Sequence, residues 1–525
     1  MKALRFCLLL LAAVTAAFVG CKKSGKAKWT VIAYYDGNCD LDISKNGNSW
    51  VVSEAQEAEQ VGSTNSVQMI AMVGSVRLGG QCKYYRIEKN ANELPDSLKS
   101  TVLEVLGTKA MSNPTVLTDF IKYAIDKYPA DHYMLMIKNH GGGWQGACLD
   151  QQNGGGAMMT MPQIRQALDT FHFDIIAFDA CLMGMCEVAY ELRERADYLV
   201  ASQFVTYAGT YGSAEWLGYL TANPNASALD VAKKVVQSCI NADERNTFIG
   251  QQAAIDLSKM DALASRMGTF ANALVTASGD YGGEVLDAFT QTHSTGLDDP
   301  ANCDLLEFCN KIRLEPDLKN IPQIMSATTD VINGISDAVP MTMTNAVGLS
   351  RGGLCIYIPY QTDMFDSTDY VQCQWRSTNW HSFVSKLIQA LGGGGGGGGT
   401  ATVTGTALWQ GGGAPSAHTL AFLDTVAGTQ AVPIAQGQVS STNGSYTISV
   451  NIAAARQVLA EAWDDVNNDG SWTAGVDGWG FYDPDGDQQW TSNDVFTITP
   501  GQTTPNINIT IYQGKDRLPG PMRKP

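Results

Sequence analysis

This chain of 525 residues is short of two features, and each shortage excludes a class of protein. After the N-terminal segment no apolar run is long enough to cross a bilayer, so no internal membrane span is expected. Positive charge is scarce, with 35 Lys and Arg residues against 52 Asp and Glu residues and a formal net charge of -17. This balance argues against nucleic acid as a partner and against electrostatic binding to anionic lipid.

Metal-type spacings of cysteine and histidine are also missing. No CxxC occurs, and the six histidines do not cluster with cysteines, so a structural zinc site is not expected. Twelve cysteines are nevertheless present. An exported protein can oxidise some of them, but the pairing cannot be read from the sequence.

The N-terminus has the pattern of an export signal. Residues 1–5 are basic, 6–19 are apolar, and small residues precede Cys21. The segment resembles a bacterial lipoprotein signal, in which Cys21 carries the lipid and becomes the mature N-terminus. We therefore expect residues 1–21 to be a signal peptide with its lipobox cysteine. The expected location is the bacterial cell envelope, lipid-anchored or secreted.

Residues 28–391 alternate between strand-like and helix-like patterns. A buried strand is predicted over 29–35 and another over 66–73, and Asn113 caps a helix predicted from Pro114 to Tyr128. Such alternation favours an α/β fold with a mainly parallel sheet and helices on both faces. In such folds, sites gather at the carboxyl ends of the strands.

Eight consecutive glycines, 392–399, predict a flexible linker and a domain boundary. Beyond this linker the proportion of Thr, Val, Ser, Gly and Asn in the sequence increases. Strands predicted over 400–408, 419–424, 445–452, 457–463 and 507–512 are separated by turn residues. Residues 400–513 are therefore expected to form a small all-β sandwich domain.

Two predicted strands end in a reactive side chain followed by small residues. The strand from Tyr133 reaches His140 and three glycines, and the strand from Phe173 reaches Cys181. Imidazole has the pKa needed to make a thiolate near neutral pH, so parallel neighbouring strands would pair a cysteine nucleophile with its base. The backbone N–H groups of Gly141 and Cys181 would then stabilise an oxyanion. Considered alone, each residue also has a structural interpretation. Cys181 could be a buried structural thiol, and His140 could be a loop histidine that is hydrogen-bonded to its own turn. Their shared strand-end position favours catalysis.

The two motifs, 139–144 and 179–184, resemble the catalytic motifs of the clostripain family of cysteine peptidases, and the similarity spans roughly residues 28–390. The resemblance implies a caspase-like α/β/α sandwich and a Cys-His dyad that cleaves peptide bonds through an acyl-enzyme. It also implies that Asp179 lines the pocket for the substrate residue before the scissile bond, termed P1. Asn38 and Asp40 are further candidates for the border of that pocket.

The chain departs from this family in two places. Residues 201–212 contain no acidic residue where the family usually has them, so the family's preference for Arg or Lys at P1 is not expected to carry over. No Lys or Arg occurs over 145–164, and the first is Arg165. We therefore predict no self-cleavage at a basic residue between the two motifs.

An acidic loop in the C-terminal region has the spacing of half a calcium-binding loop. Asp465, Asn467 and Asp469 alternate before Gly470, Val476 holds the twelfth position, and Asp477 is adjacent. Asx-rich hairpin turns explain the same residues without a metal. Both interpretations remain open.

The combined expectation is an exported cysteine endopeptidase that acts on protein or peptide substrates. It requires no cofactor for its chemistry, with Ca²⁺ possible, and reaches the membrane through an N-terminal lipid anchor. The alternatives are a catalytically silent surface protein that binds peptides or glycans, and a related transpeptidase that shares the acyl-enzyme step.

Overall fold

The structure is a computed structural model that describes residues 26–42, 49–90, 97–207, 209–246, 248–293, 301–345, 352–359, 365–392, 399–427, 430–452, 455–467, 476–484, 486 and 494–513. The expected signal peptide with Cys21, and Asp469 of the acidic loop, lie outside the described residues. Among the described helices, none has the length and apolar character that crossing a membrane requires.

Residues before the glycine run supply thirteen described strands. They are β1 Ala27–Gly37, β2 Val67–Ser75, β3 Gln81–Arg86, β4 Thr101–Thr108, β5 Ala130–Lys138, β6 Ala147–Asp150, β7 Ala157–Met159, β8 Phe173–Asp179, β9 Ala196–Ala201, β10 Gln251–Asp256, β11 Asn302–Asp304, β12 Met341–Thr344 and β13 Cys355–Tyr357. Nine of these form one sheet in the order β12-β10-β9-β8-β5-β1-β2-β3-β4. Its five central strands, from β9 to β2, are parallel, and the strands at both edges are antiparallel.

The helices described in this region lie between and after these strands. They are α1 Trp50–Glu59, α2 Pro114–Lys127, α3 Met161–Ala167, α4 Cys186–Leu192, α5 Ser213–Ala222, α6 Ala228–Arg245, α7 Met260–His293, α8 Leu305–Leu314, α9 Pro322–Ala338, α10 Ser367–Tyr370 and α11 Trp380–Gly392. Asn113 caps α2, as expected, by accepting from the backbone N–H of Thr115.

Helices cover both faces of the large sheet because successive strand residues point to opposite sides. In β1, Ile32 and Tyr34 join one buried core, which includes Leu117 of α2. Their neighbours Val31 and Ala33 join the other core, which includes residues of α1, α5 and α6. The expected α/β class, with its mainly parallel sheet between two helical layers, is confirmed.

The chain after the glycine run forms a second β-rich region. Its strands are β14 Gly399–Trp409, β15 Thr419–Ala427, β16 Gln430–Gln438, β17 Ser445–Ile452, β18 Arg456–Asp464, β19 Gly478–Phe481, β20 Phe496–Ile498, β21 Thr503–Thr504 and β22 Ile509–Gln513. They follow the hydrogen-bonded path β16-β15-β18-β19-β22-β14-β17, with β20 and β21 at its side. Alternate residues such as Val403, Leu423 and Ile448 build its buried core. Gly392 ends α11 and Gly399 starts β14, so the two outer glycines of the run belong to regular elements.

The central sheet determines where the reactive residues lie. Strands β5 and β8 are parallel neighbours, and Lys138 is the register partner of Asp179. His140 and Cys181 each follow two residues after this pair. The two strands therefore deliver both side chains to the same edge of the sheet.

Candidate active site

Asn139 fixes the backbone of the histidine loop just after β5. Its Nδ2 donates to the carbonyl oxygen of Asp36 at 2.8 Å. Its Oδ1 accepts from the backbone N–H groups of His140 and Leu149, at 2.6 Å each. The side chain is buried, so these bonds compete with little water. His140 is thereby held at a defined point above the sheet.

The ring of His140 is oriented by a carboxylate from another loop. Its Nε2 lies 2.8 Å from Oδ1 of Asp40, which belongs to the short 3₁₀ turn Asp40–Asp42. The His140 side chain is 31% exposed and that of Asp40 is 64% exposed, so solvent screens the pair. This contact leaves Nδ1 as the ring nitrogen available for proton exchange with a thiol.

Cys181 lies on a turn that is bonded to the segment after β9. The backbone N–H of Leu182 donates to the carbonyl oxygen of Phe204 at 2.9 Å, and that of Gly184 donates to Ser202 at 2.7 Å. The Cys181 thiol lies 3.7 Å from the carbonyl oxygen of Thr206. Of the ten cysteines in the described part of the chain, Cys181 alone is not buried. Its exposure fits a reactive thiol.

Glycine is required where the two loops meet. A Cβ on Gly141 would lie 2.2 Å from the carbonyl oxygen of Cys181 and 3.1 Å from Cβ of Ala180. No real side chain tolerates the first distance, so the histidine loop and the cysteine loop touch only because residue 141 has no side chain.

A buried ion pair lies two residues before the reactive residues. The ammonium of Lys138 contacts Oδ2 of Asp179, and Oε2 of Glu54 from α1 is 3.9 Å away. The side chains of Lys138 and Asp179 are 2% and 3% exposed. Burial raises the pKa of Glu54 to about 8, against the lowering effect of Lys138. Burial alone would lower the pKa of Lys138, but Asp179 and Glu54 raise it.

The sequence profile of the clostripain family matches residues 38–386 of this chain. The chain belongs to the clostripain family of cysteine peptidases. A curated relative, clostripain from Hathewaya histolytica, is 36% identical over 225 residues, which are 35% of this chain and 41% of that protein. The match thus spans less than half of that relative's length.

One solved structure supports the same fold, and a second is similar in sequence coverage. A secreted C11 cysteine protease from Bacteroides thetaiotaomicron, in complex with an irreversible peptide inhibitor, covers 68% of this chain and 100% of its own, with TM-score 0.51 and 21% identity. An inactive zymogen C11 protease from Parabacteroides distasonis covers 67% of this chain and 98% of its own, with TM-score 0.48 and 20% identity.

Two of the three residues expected at the substrate pocket are buried. Asn38 donates from Nδ2 to Oδ2 of Asp150 at 3.1 Å and to the carbonyl oxygen of Lys109 at 3.2 Å. Its side chain therefore holds the loop that follows β6 and does not reach the surface. Asp179 is equally buried and is bound by Lys138. Asp40, the third candidate, reaches the surface but contacts His140.

Metal-ligand atoms come together at one place among the described residues. The ligand atoms of Cys39, Asp40 and His140 lie within 4.8 Å of one another. Burial raises the pKa of the Cys39 thiol to about 12, which opposes the deprotonation that metal binding needs.

The acidic loop after β18 is described at its two ends. Asp465 and Asp477 are buried. Oδ1 of Asp477 accepts from the backbone N–H of Val466 at 3.0 Å. Asn467 is described and Asp469 is not. The calcium interpretation of this loop stays a prediction.

Three contacts of the site were not anticipated from the sequence. They are the anchoring role of Asn139, the bond between Asp40 and His140, and the partnership of Lys138 with Asp179. The sequence does contain a signal for the partnership of Lys138 with Asp179, because Lys138 is the single charged residue in the apolar end of its strand. A lysine there requires an internal partner.

Proposed function

We propose that this protein is an exported cysteine endopeptidase in which Cys181 is the nucleophile and His140 the general base and acid. The observation that carries the proposal is the register of β5 and β8, which brings both residues to one sheet edge at matched positions. The partial exposure of Cys181, among described cysteines that are otherwise buried, supports it.

The reaction proceeds through an acyl-enzyme. His140 takes the proton of the Cys181 thiol, and the thiolate attacks the carbonyl carbon of the scissile peptide bond. The resulting oxyanion lies near the backbone N–H groups of Gly141 and Cys181. His140 then gives its proton to the leaving amine, and the C–N bond breaks. A water molecule, deprotonated by His140, hydrolyses the thioester and frees Cys181.

Asp40 supports both states of the histidine. Its carboxylate at 2.8 Å from Nε2 favours the tautomer that carries a proton on Nε2, and it stabilises the imidazolium formed during attack. Because Asp40 is exposed, its contribution is smaller than that of a buried carboxylate.

The decisive experiment is a peptide-library digestion by wild type beside Cys181→Ala, with Cys186→Ala as the matched control. Cys186 is a buried thiol on the neighbouring helix, so its replacement should leave cleavage intact. We expect cleavage by wild type and Cys186→Ala and none by Cys181→Ala. Cleavage that survives in Cys181→Ala refutes the assignment of the nucleophile, and no cleavage by any form favours a binding protein.

Calcium binding at the acidic loop is a separate proposal. It is supported by two buried carboxylates, Asp465 and Asp477, at the ends of one loop. Added Ca²⁺ should raise the melting temperature of wild type but not of Asp465→Asn. An unchanged melting temperature of wild type would contradict calcium binding and favour the interpretation of the loop as Asx-rich turns.

A further inference from the structure

Asp179 is the carboxylate nearest in sequence before the nucleophile, and the proposed mechanism gives it no chemical step. It has an internal partner, the ammonium of Lys138. A buried carboxylate binds a substrate's ammonium or guanidinium strongly only when no other cation satisfies it. Lys138 already supplies that cation from within the chain.

The charges around this pair leave little attraction for a second cation. Glu54 is the other carboxylate beside Lys138, and Oγ of Ser213 donates to its Oε1. Since its pKa is about 8, Glu54 keeps its proton at neutral pH. Lys138, Asp179 and protonated Glu54 together carry no net charge. An incoming Arg or Lys side chain would meet the ammonium of Lys138, while the further carboxylates Glu57 and Asp243 already accept from the backbone N–H of Ser213 and from Thr210.

The segment that contacts the nucleophile continues into an exposed aromatic pair. Thr206, whose carbonyl oxygen contacts the Cys181 thiol, is followed by Tyr207. The ring of Tyr207 stacks on Phe248 with centroids 4.2 Å apart and planes at 13°, and both side chains are 38% exposed. Exposed aromatic pairs of this kind mark contact surfaces. The carboxylate of Asp243, on the preceding helix α6, is buried and hydrogen-bonded to Thr210.

We propose that Lys138 determines specificity by taking the place of a basic P1 side chain, so that the protein cleaves after uncharged apolar residues that pack on Tyr207 and Phe248. This inference rests on the proposed peptidase function. The proposed mechanism gives Lys138 no chemical step. It acts by neutralising Asp179.

The first test compares peptides that differ only at P1, with Phe, Leu, Arg or Lys in that position. We expect kcat/KM for Phe and Leu to exceed that for Arg and Lys by at least about 100-fold, since a charged group would be desolvated without a partner. Equal or faster cleavage after Arg or Lys overturns the inference while leaving the peptidase function standing. Absence of Cys181-dependent cleavage of every peptide refutes the peptidase function instead.

The second test removes the internal cation. Lys138→Met frees Asp179, and the ratio of kcat/KM for Arg to that for Phe should rise at least about tenfold. The matched control is Lys138→Met combined with Asp179→Asn, which removes both charges and should cleave after Phe without gaining cleavage after Arg. If Lys138→Met folds and keeps the wild-type ratio, the inference is wrong. If it does not fold, a gain of Arg cleavage in the double variant is the result that overturns it.

The third test addresses the aromatic pair. Tyr207→Ser should raise KM for the Phe peptide about tenfold, because the stacked contact with Phe248 is lost, and should change kcat little. An unchanged KM for the Phe peptide would remove Tyr207 from the proposed P1 contact.

Discussion

At the scale of single residues, the reactive pair depends on a glycine that brings two loops into contact. Gly141→Ala would place a Cβ 2.2 Å from the carbonyl oxygen of Cys181. We expect kcat/KM to fall at least about 100-fold, because a displacement of about 1 Å at reacting groups costs that much. The matched control is Gly142→Ala, whose Cβ would meet the flexible Met158 thioether at 3.3 Å. Similar losses in both variants would contradict the role given to Gly141.

Asp40 offers a second test at this scale. Asp40→Asn keeps the shape of the side chain but removes the charge that faces Nε2 of His140. We expect kcat to fall about tenfold with KM nearly unchanged, a modest loss because the pair is exposed. The rate should also depend less on salt concentration in the variant. A larger effect on KM than on kcat would place Asp40 at the border of the substrate pocket, as the sequence first suggested.

The sequence predicted the two reactive residues more readily than their supports. His140 and Cys181 each follow an apolar strand and precede small residues, a local pattern that can be read without a fold. The pairing of Lys138 with Asp179 joins positions 41 residues apart and depends on the register of two strands. Local patterns do not specify that register.

At the scale of elements, helix α4 carries a buried acid whose titration affects stability. Glu187 lies in its first turn and accepts from the hydroxyl of Tyr370 at 2.7 Å and the backbone N–H of Tyr357 at 3.1 Å. Burial raises its pKa from 4.5 to about 7. The folded chain therefore holds this proton at pH values where the unfolded chain has released it.

This shift gives a pH-dependent stability. The contribution of Glu187 to the free energy of unfolding is fully present below about pH 4.5. It is lost as the pH rises to about 7, which lowers the free energy of unfolding by about 3 kcal/mol. We therefore compare the melting temperatures of Glu187→Gln and wild type from pH 4.5 to 8. The melting temperature of the variant should rise relative to that of wild type as the pH increases. Exposed Glu194→Gln is the control and should follow wild type. A constant difference between Glu187→Gln and wild type contradicts the shifted pKa.

The connection between the two reactive strands gives a prediction about processing. It forms the β6–β7 hairpin, in which the backbone N–H groups of Gln151 and Gln152 donate to the carbonyl oxygen of Asn38. Residues 145–164 contain no basic residue, and Arg165 is bound to Glu191 on α4. The purified protein should therefore remain one chain. A Cys181-dependent two-chain product cut between His140 and Arg165, seen by gel and mass spectrometry, would contradict this.

Elements with strong apolar patterns were predicted and weaker ones were not. Strand β1 is an apolar run, and helix α2 begins with Asn-Pro, so both could be read directly. Strand β4 has no buried residue, so it was not predicted as a buried strand even though it completes one edge of the sheet. Strands β10 and β12 were not predicted, and only their pairing with β9 and with each other identifies them.

At the scale of the whole molecule, the order of the regions along the chain could be predicted from the sequence, but the pairing of strands within each region could not. Strand–helix alternation predicted the parallel centre of the sheet, and the change in composition after residue 399 predicted a β-rich region. The antiparallel edges of the first sheet and the strand order of the nine-stranded second sheet depend on long-range pairing. No local sequence pattern reports such pairing.

Anchoring is a prediction for the whole molecule. If Cys21 carries lipid, cells that express the protein should retain it in the membrane fraction, since acyl chains partition into a bilayer. Cys21→Ser should move it to the soluble or extracellular fraction. Cys186→Ser is the matched thiol control and should stay with the membrane. Equal distribution of Cys21→Ser and wild type would refute the anchor.

The buried pair of Lys138 and Asp179 also constrains how this lineage can change. Replacing either residue alone strands a charge in the interior, at a cost of about 3–5 kcal/mol, which is a large part of a typical domain's stability. A change at Lys138 alone would therefore alter substrate preference only at a cost in stability, and a sequence with little stability to spare would be selected against before the new preference was of use.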